Sequence, residues 1–109
     1  MKQYCLALDL KNNAELIAEY ESWHRRVWPE ILESIRTSGI MGMEIYRAGN
    51  RMFMRIQTTD DFSFDAKTAL DAANTKVQEW EQLMWKYQQP LPFAQPGEKW
   101  VLMEKIFSL

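Results

Sequence analysis

The sequence is poor in the residues that build metal centres and disulfide frameworks. Its 109 residues include one cysteine, Cys5, and one histidine, His24. A single cysteine cannot form an intramolecular disulfide, and Cys5 stands in an apolar, strand-like segment, so nothing indicates an oxidising compartment. One histidine and one cysteine also exclude, within one chain, the zinc sites that are built from those ligands. We therefore expect a protein that holds no metal.

Long apolar runs and clustered basic residues are also missing. No run approaches the length of a membrane span, and polar residues interrupt the amino-terminal segment too early for a signal peptide. The 13 Lys and Arg residues against 15 Asp and Glu residues give a net charge of −2, without a basic stripe that would suit nucleic acid. These absences predict a cytoplasmic protein that has neither membrane nor nucleic acid as a partner.

What remains has the composition of a folded globular protein, with 47% hydrophobic and 26% charged residues. The length fits one hydrophobic core, so we predict a single domain over residues 1–109. Histidine is the side chain that titrates near pH 7, and His24 is therefore the one obvious candidate for proton transfer. The five tryptophans stand out against this single histidine.

Hydrophobic periodicity predicts six elements along the chain. The first half contains a strand over Tyr4–Leu10 and a helical segment from Ala14 to about Ser38, capped by Asn12 or Asn13 and stopped by Gly39. Pro29 should kink this helix or start a second one after Trp28. The second half contains a hairpin that turns at Gly49-Asn50, a helical segment from about Ser63 to Gln88, and a strand over Trp100–Phe107. A separate short helix in the earlier part of that helical segment stays open as an alternative.

The resulting βαββαβ order predicts an α+β, ferredoxin-like fold, in which an antiparallel sheet carries two helices on one face. Several strands place apolar side chains on both faces of that sheet. The face without helices then needs a cover, and a second copy of the chain is the simplest one. We therefore expect a homodimer of the dimeric α/β barrel type.

The most informative stretch runs from Tyr20 to Glu30. Tyr20, His24 and Trp28 stand at i, i+4 and i+8, so a continuous helix would place them on one face, as the wall of a pocket. The same spacing is equally typical of a core-facing stripe in which His24 donates to a backbone carbonyl. Aromatic rings also suit the apolar faces of a sugar, and Trp80 is placed to face this row. For the tryptophans at positions 23, 85 and 100, core or interface packing is the favoured interpretation.

This stretch resembles the L-rhamnose mutarotase family, whose motif Tyr-x3-His-x3-Trp-Pro-Glu is present here from Tyr20 to Glu30. Further similarities lie at Glu44-Ile45-Tyr46 with Met52-Phe53-Met54, at Gln78-Glu79-Trp80, and at the carboxyl-terminal Met103–Leu109. The resemblance implies a dimeric ferredoxin-like enzyme that binds a monosaccharide between sheet and helices without a cofactor. It also implies that His24 transfers the proton while Tyr20 and Trp80 bind the sugar.

Two positions depart from the pattern of the resembled family. Relatives close to the rhamnose enzyme tend to have tyrosine where Met43 stands, and a second consecutive tryptophan where Glu81 stands. Both positions are expected to contact the sugar, so L-rhamnose and L-fucose both stay open as substrates. The predicted reaction is the interconversion of α and β anomers by acid–base ring opening, and the partner that shares the proton transfer with His24 is open between Tyr20, a carboxylate and water.

Two other functions compete with this hypothesis. A small haem-dependent monooxygenase of the same fold would use His24 as an axial ligand, but no second motif supports haem binding. A dimeric domain that binds sugar or a partner without catalysis would leave the aromatic row purely structural. A Soret band would identify the first, and unchanged anomer exchange would identify the second.

Overall fold

The computed structural model describes residues 1–109 as one antiparallel sheet with helices on one face. The strand order is β2-β3-β1-β4, and β5 also pairs with β1. This is the predicted ferredoxin-like arrangement. The strands are β1 (Lys2–Leu10), β2 (Ile40–Ala48), β3 (Arg51–Thr58), β4 (Gln88–Gln89) and β5 (Val101–Leu102).

Each of the two predicted helical segments is divided in two. Pro29 opens the second helix with Trp28 as its N-cap, because proline lacks the N–H that a helix interior needs but is tolerated in the first turn. Asn74 marks the other division, where its side chain accepts hydrogen bonds from two N–H groups of the next helix. The helices are α1 (Ala14–His24), α2 (Pro29–Thr37), α3 (Phe64–Ala72) and α4 (Thr75–Trp85). None of them has the length and hydropathy that crossing a bilayer requires.

The predicted hairpin is confirmed, because β2 and β3 pair in antiparallel register and turn at Gly49-Asn50. Gly39 links α2 to β2 with a φ of 101°. A Cβ at that position would lie 2.9 Å from the Thr59 hydroxyl oxygen, so both conformation and space favour glycine there.

The end of the chain differs from the prediction in two ways. Gln88, predicted as the end of a helix, belongs to β4, because α4 ends at Trp85. The strand predicted over Trp100–Phe107 is reduced to Val101–Leu102, and its ladder on β1 ends where the Met103 N–H donates to the Cys5 carbonyl at 2.8 Å. The residues that follow find no further strand to pair with in a single chain. Their apolar side chains are consequently exposed.

The helix-facing side of the sheet carries two core clusters. The first core cluster contains Leu8, Leu10, Tyr20, Ile31, Met52, Val77, Trp80, Met84 and Tyr87. The second core cluster contains Leu6, Ile40, Met54, Ile56 and Phe62. The polar-tipped aromatic residues therefore collect in the first cluster, and His24 packs against two of them, Tyr20 and Trp80.

Candidate active site

His24 is the last residue of α1, and its ring is fixed by a bond to the preceding turn. Its Nδ1 lies 2.8 Å from the backbone carbonyl oxygen of Tyr20. Because a carbonyl oxygen can only accept, Nδ1 carries the hydrogen, and Nε2 of the neutral ring holds a free lone pair. The hydrogen bond from Nδ1 to the Tyr20 carbonyl is the bond expected of a purely structural histidine. The same bond leaves Nε2 unprotonated, so a structural role and a role as a base are compatible.

The surroundings of His24 favour its neutral form. Burial lowers the pKa of His24 below its usual value of 6.5, while the hydrogen bond to the Tyr20 carbonyl opposes this effect. Desolvation is the larger of the two causes. At neutral pH the imidazole is thus mostly uncharged and able to accept a proton.

Tyr20 lies directly against His24 and has the opposite acid–base character. The two ring centroids are 4.4 Å apart, and the Tyr20 hydroxyl accepts a hydrogen bond from Gln88 Nε2 at 3.1 Å. Burial raises the pKa of Tyr20 to about 12, the Gln88 hydrogen bond lowers it, and the charge of Glu81 raises it further. Tyr20 therefore stays protonated through the physiological range, and in a proton transfer it can start only as the acid.

Trp80 stands at the centre of the aromatic rings and is 6% exposed. Its ring centroid lies 5.8 Å from that of His24, 5.1 Å from that of Trp28 and 6.3 Å from that of Trp23, in each case edge to face. These contacts hold the His24 ring from the side opposite α1. Trp80 is therefore buried more deeply than we expect of a tryptophan whose only role is to stack on a sugar.

The predicted row of three side chains on one helix is wrong at its third member. The helix ends at His24, and Trp28 follows as the N-cap of α2. Trp28 nevertheless reaches the same place, because its ring packs on Trp80. The break at Pro29 thus changes how Trp28 is held but keeps it beside the candidate site.

A cavity of about 430 Å³ opens beside His24, between α2 and β2. Met43 lies in its wall, so the structure brings together these two residues that the sequence had nominated separately. The remaining lining is mostly aliphatic, with Arg36 as its one charged side chain: Leu32, Ile35, Arg36, Ile40, Met41, Gly42 and Ile45. Such a wall suits a small molecule with one apolar edge and hydroxyl groups elsewhere.

Glu81 does not line this cavity. Its carboxylate forms an ion pair with Lys99, whose ammonium also donates to the Glu81 backbone oxygen at 3.2 Å. The same ammonium lies 4.7 Å from the centre of the Trp85 ring, which is thereby covered by the loop before β5. Glu81 reaches the candidate site only through its charge, which acts on the Tyr20 hydroxyl.

The other two tryptophans contribute packing. Trp23 donates from its indole nitrogen to the Tyr87 hydroxyl at 3.0 Å, deep in the first core cluster. Trp100 is partly buried against both core clusters. Neither of them lines the cavity beside His24.

A second cavity, of about 350 Å³, lies between α2 and the α3–α4 pair. It includes Glu30 of the sequence motif together with Glu33, Asp71 and Lys76. No histidine or aromatic residue lines it. It therefore offers neither a base that is neutral near pH 7 nor a ring face for a sugar, and we assign the site to the cavity beside His24.

Sequence reasoning missed Gln88, Arg36 and Lys99. Gln88 was detectable, since it follows Met84 by four residues and so interrupts an apolar stripe with an amide. Arg36 and Lys99 gave no such signal, because solvated basic residues are common on helices and loops.

The chain is similar to known proteins over nearly its whole length. The L-rhamnose mutarotase family matches residues 3–109. An L-fucose mutarotase of Xanthomonas campestris pv. campestris is 45% identical over 111 residues, covering 100% of this chain and 89% of that protein. A UPF0734 protein of Dictyostelium discoideum is 38% identical over 115 residues, covering 99% of this chain and 90% of that protein.

Two solved structures share the fold. An L-rhamnose mutarotase from Formosa agariphila superposes with a TM-score of 0.74 at 18% identity, covering 100% of this chain and 99% of that one. The tetracenomycin F2 cyclase of Streptomyces glaucescens, a type-II polyketide cyclase, has a TM-score of 0.62 at 19% identity, covering 100% of this chain and 97% of that one. At these identities the likeness concerns the fold, which serves unrelated chemistries.

Proposed function

Because the chain belongs to the L-rhamnose mutarotase family, we propose that it interconverts the α and β anomers of a 6-deoxy-L-sugar, with L-fucose preferred to L-rhamnose. Membership makes it an isomerase of the sugar mutarotase type. The observation that supports the mechanism is the contact between a neutral imidazole, His24, which lines the cavity, and the buried phenol of Tyr20, which stands behind it and is not part of the cavity lining.

The preference for L-fucose is supported by similarity and by two departures from the rhamnose-type pattern, while the cavity suits a 6-deoxy-sugar of either kind. The relative with 45% identity is an L-fucose mutarotase. Met43 and Glu81 depart from the residues that the rhamnose-type sequence pattern has at these positions. Met43 makes the cavity wall more apolar, where the C6 methyl group of either sugar fits, while it removes a hydroxyl that would bind a sugar oxygen.

The chemistry requires one base and one acid. His24 Nε2 removes the proton from the anomeric hydroxyl, while the Tyr20 hydroxyl donates a proton to the ring oxygen as the bond between that oxygen and C1 breaks. Rotation about the C1–C2 bond of the open aldehyde then presents its other face. Reclosure returns each proton, so the two side chains end in their starting states. One well-placed acid–base group accelerates such a transfer by about 10²–10⁴-fold.

Saturation-transfer NMR on anomeric protons tests the activity and names the sugar in one experiment. We expect the protein to accelerate exchange of L-fucose more than that of L-rhamnose, with D-glucose, which has a hydroxymethyl group at C5 instead of methyl, as the unaffected control. Exchange at the uncatalysed rate for both deoxysugars would overturn the proposed function. Faster exchange of L-rhamnose would overturn only the proposed preference.

We also propose that the working unit is a cytoplasmic homodimer. The apolar side chains of the carboxyl-terminal segment are largely exposed in one chain, with Met103 at 46%, Ile106 at 93% and Phe107 at 77%. The helix-free face of the sheet presents the half-buried Phe53 among ion pairs such as Arg55–Glu44. A second copy would cover both surfaces, since exposed apolar segments of this kind mark interfaces.

Removal of residues 103–109 tests the dimer. We expect the full chain to sediment as a dimer and the shortened chain to shift toward the monomer mass in analytical ultracentrifugation. A full chain that sediments as a monomer, or a shortened chain that dimerises equally well, would contradict this assembly.

A further inference from the structure

One buried polar side chain, Gln88, lies against the first core cluster. It takes no direct part in the proposed proton transfer, and an apolar residue would pack as well at its position. Gln88 lies on β4 opposite Leu10 of β1 and is 4% exposed. Its Nε2 donates to the Tyr20 hydroxyl at 3.1 Å, while its Oε1 is buried without any hydrogen-bond partner.

An unpaired buried carbonyl oxygen destabilises a folded protein, so stability alone does not account for an amide at this position. A methionine or leucine would fill the same space without that cost. The retained amide therefore points to a use for the group that Gln88 does contact, which is the Tyr20 hydroxyl.

The hydrogen bond determines where the Tyr20 proton can point. A phenol oxygen accepts and donates at once, and here the accepting side is occupied by Gln88 Nε2. The phenol hydrogen must then turn away from β4. The bond also stabilises the phenolate and thereby makes Tyr20 a stronger acid, against the effect of burial.

We propose that Gln88 is a positioning residue for sugar anomerisation, which orients the Tyr20 hydroxyl so that its proton is directed to the ring oxygen of the bound substrate. This inference rests on the proposed function and adds to it the residue that prepares the acid. Gln88 acts through Tyr20 and does not itself exchange protons with the sugar.

Three variants test the proposal by saturation-transfer NMR on L-fucose. Gln88→Met keeps the volume and removes the amide, and we expect kcat to fall about three- to tenfold, the effect of one neutral hydrogen bond, with KM little changed. In a Tyr20→Phe background the same substitution should change kcat by less than about twofold, because Gln88 then has no hydroxyl to orient. Gln89→Met, on the exposed neighbour in β4, is the matched control and should leave kcat unchanged.

Thermal unfolding separates positioning from a structural role. We expect Gln88→Met to unfold at the wild-type temperature or above it, since the unpaired oxygen is removed. Equal losses of kcat in both backgrounds would overturn the proposal. So would a loss accompanied by lower stability, or an equal loss in Gln89→Met.

Failure of the proposed function is distinguishable from failure of this inference. If the wild-type protein accelerates no anomer exchange, the proposed function fails; if it accelerates exchange but Gln88→Met leaves kcat unchanged, only this inference fails. In a wild-type protein that catalyses exchange, ¹⁵N spectra of the Gln88 side-chain amide give a second measurement of the role of Gln88. L-Fucose should shift that amide signal in the wild-type protein and not in Tyr20→Phe. An amide signal unmoved by the sugar in the wild-type protein would overturn the positioning role.

Discussion

The two core clusters lie on the same face of one sheet but differ in their content of polar atoms. The second core cluster packs Leu6, Ile40, Met54 and Ile56 around the ring of Phe62, which meets the Phe64 ring edge to face at 5.0 Å. The first core cluster instead holds Tyr20, Trp80 and Tyr87, and its buried atoms include hydroxyls, an indole nitrogen and an amide.

The difference lies in polar content, because the groups that the proposed chemistry uses lie in or against the first cluster. Hydrocarbon needs no partners when it is buried, whereas each polar atom of the first cluster needs a hydrogen bond, and Gln88 Oε1 lacks one. The groups whose pKa is displaced mainly by burial are Tyr20 of the first cluster, upward, and His24, which packs against that cluster, downward. Substitutions in the two clusters should therefore have separable effects on activity and on stability.

The largest effect on activity is expected from His24→Ala. It removes the base while leaving the helix end in place, so we expect the catalysed exchange of L-fucose to fall by about 10²–10⁴-fold. The circular dichroism spectrum and the sedimentation coefficient should stay those of the wild-type protein. Exchange at the wild-type rate in this variant would show that His24 is not the proton carrier.

Ile56→Ala tests the other side of the comparison. Ile56 is 2% exposed in the second core cluster, and its truncation should lower the free energy of unfolding by about 2–5 kcal/mol. The kcat of the protein that remains folded should change little, because Ile56 does not itself line the cavity beside His24 and reaches it only through its cross-strand neighbour Met43. Denaturant titration measures the first quantity and NMR exchange the second. A large fall in kcat without loss of stability would contradict the separation.

The pH dependence of the rate sharpens the assignment of the acid and the base. The base must be neutral, so kcat/KM should fall about tenfold per pH unit below the pKa of His24, with a midpoint below 6.5. The acid must be protonated, and because the pKa of Tyr20 is about 12, the rate should stay level from neutral into moderately alkaline pH. A midpoint above 6.5, after subtraction of the buffer rate, would mean that His24 sits in an environment other than the one described.

The smallest effect is expected from Trp80→Phe. This change keeps an aromatic ring, but the smaller ring makes less contact with His24, whose ring centroid lies 5.8 Å from that of Trp80. An edge-to-face pair contributes about 0.5–1.5 kcal/mol, which corresponds to a loss of about two- to tenfold in kcat/KM. Phe62→Leu in the second cluster is the matched control, and it should alter stability without this kinetic loss. Equal kinetic losses in both variants would remove the distinction between the clusters.

Local rules were enough to predict most of the fold. The alternation of β1, the turn at Gly49-Asn50 and the break at Pro29 each follow from the chemistry of the residues in place. Strand β4 was not predictable, and β5 was predicted too long, because the pairing of both depends on which edge of β1 is free, and that is a tertiary property. The same reason explains the final strand, whose alternation continues to Phe107 while its pairing stops at Leu102.

The sequence was enough to name two residues of the candidate site, but not to show how the side chains around them are arranged. His24 was nominated by scarcity and Tyr20 by a spacing of one helical turn, and the structure places their rings in contact. Glu81 was expected at the sugar, and the structure turns its carboxylate to Lys99, since an ion pair across the α4 surface is available there. No local pattern could show Gln88 reaching Tyr20, because 68 residues separate them in the chain.

The state of the His24 ring at neutral pH is the central physical claim, and ¹⁵N NMR of the labelled imidazole measures it directly. We predict a neutral ring at pH 7 with the proton on Nδ1, a pyridine-type shift for Nε2, and titration with a midpoint below 6.5. Addition of L-fucose should move the Nε2 signal most, because that atom faces the anomeric hydroxyl. A ring protonated on Nε2, or a cation at pH 7, would contradict the account.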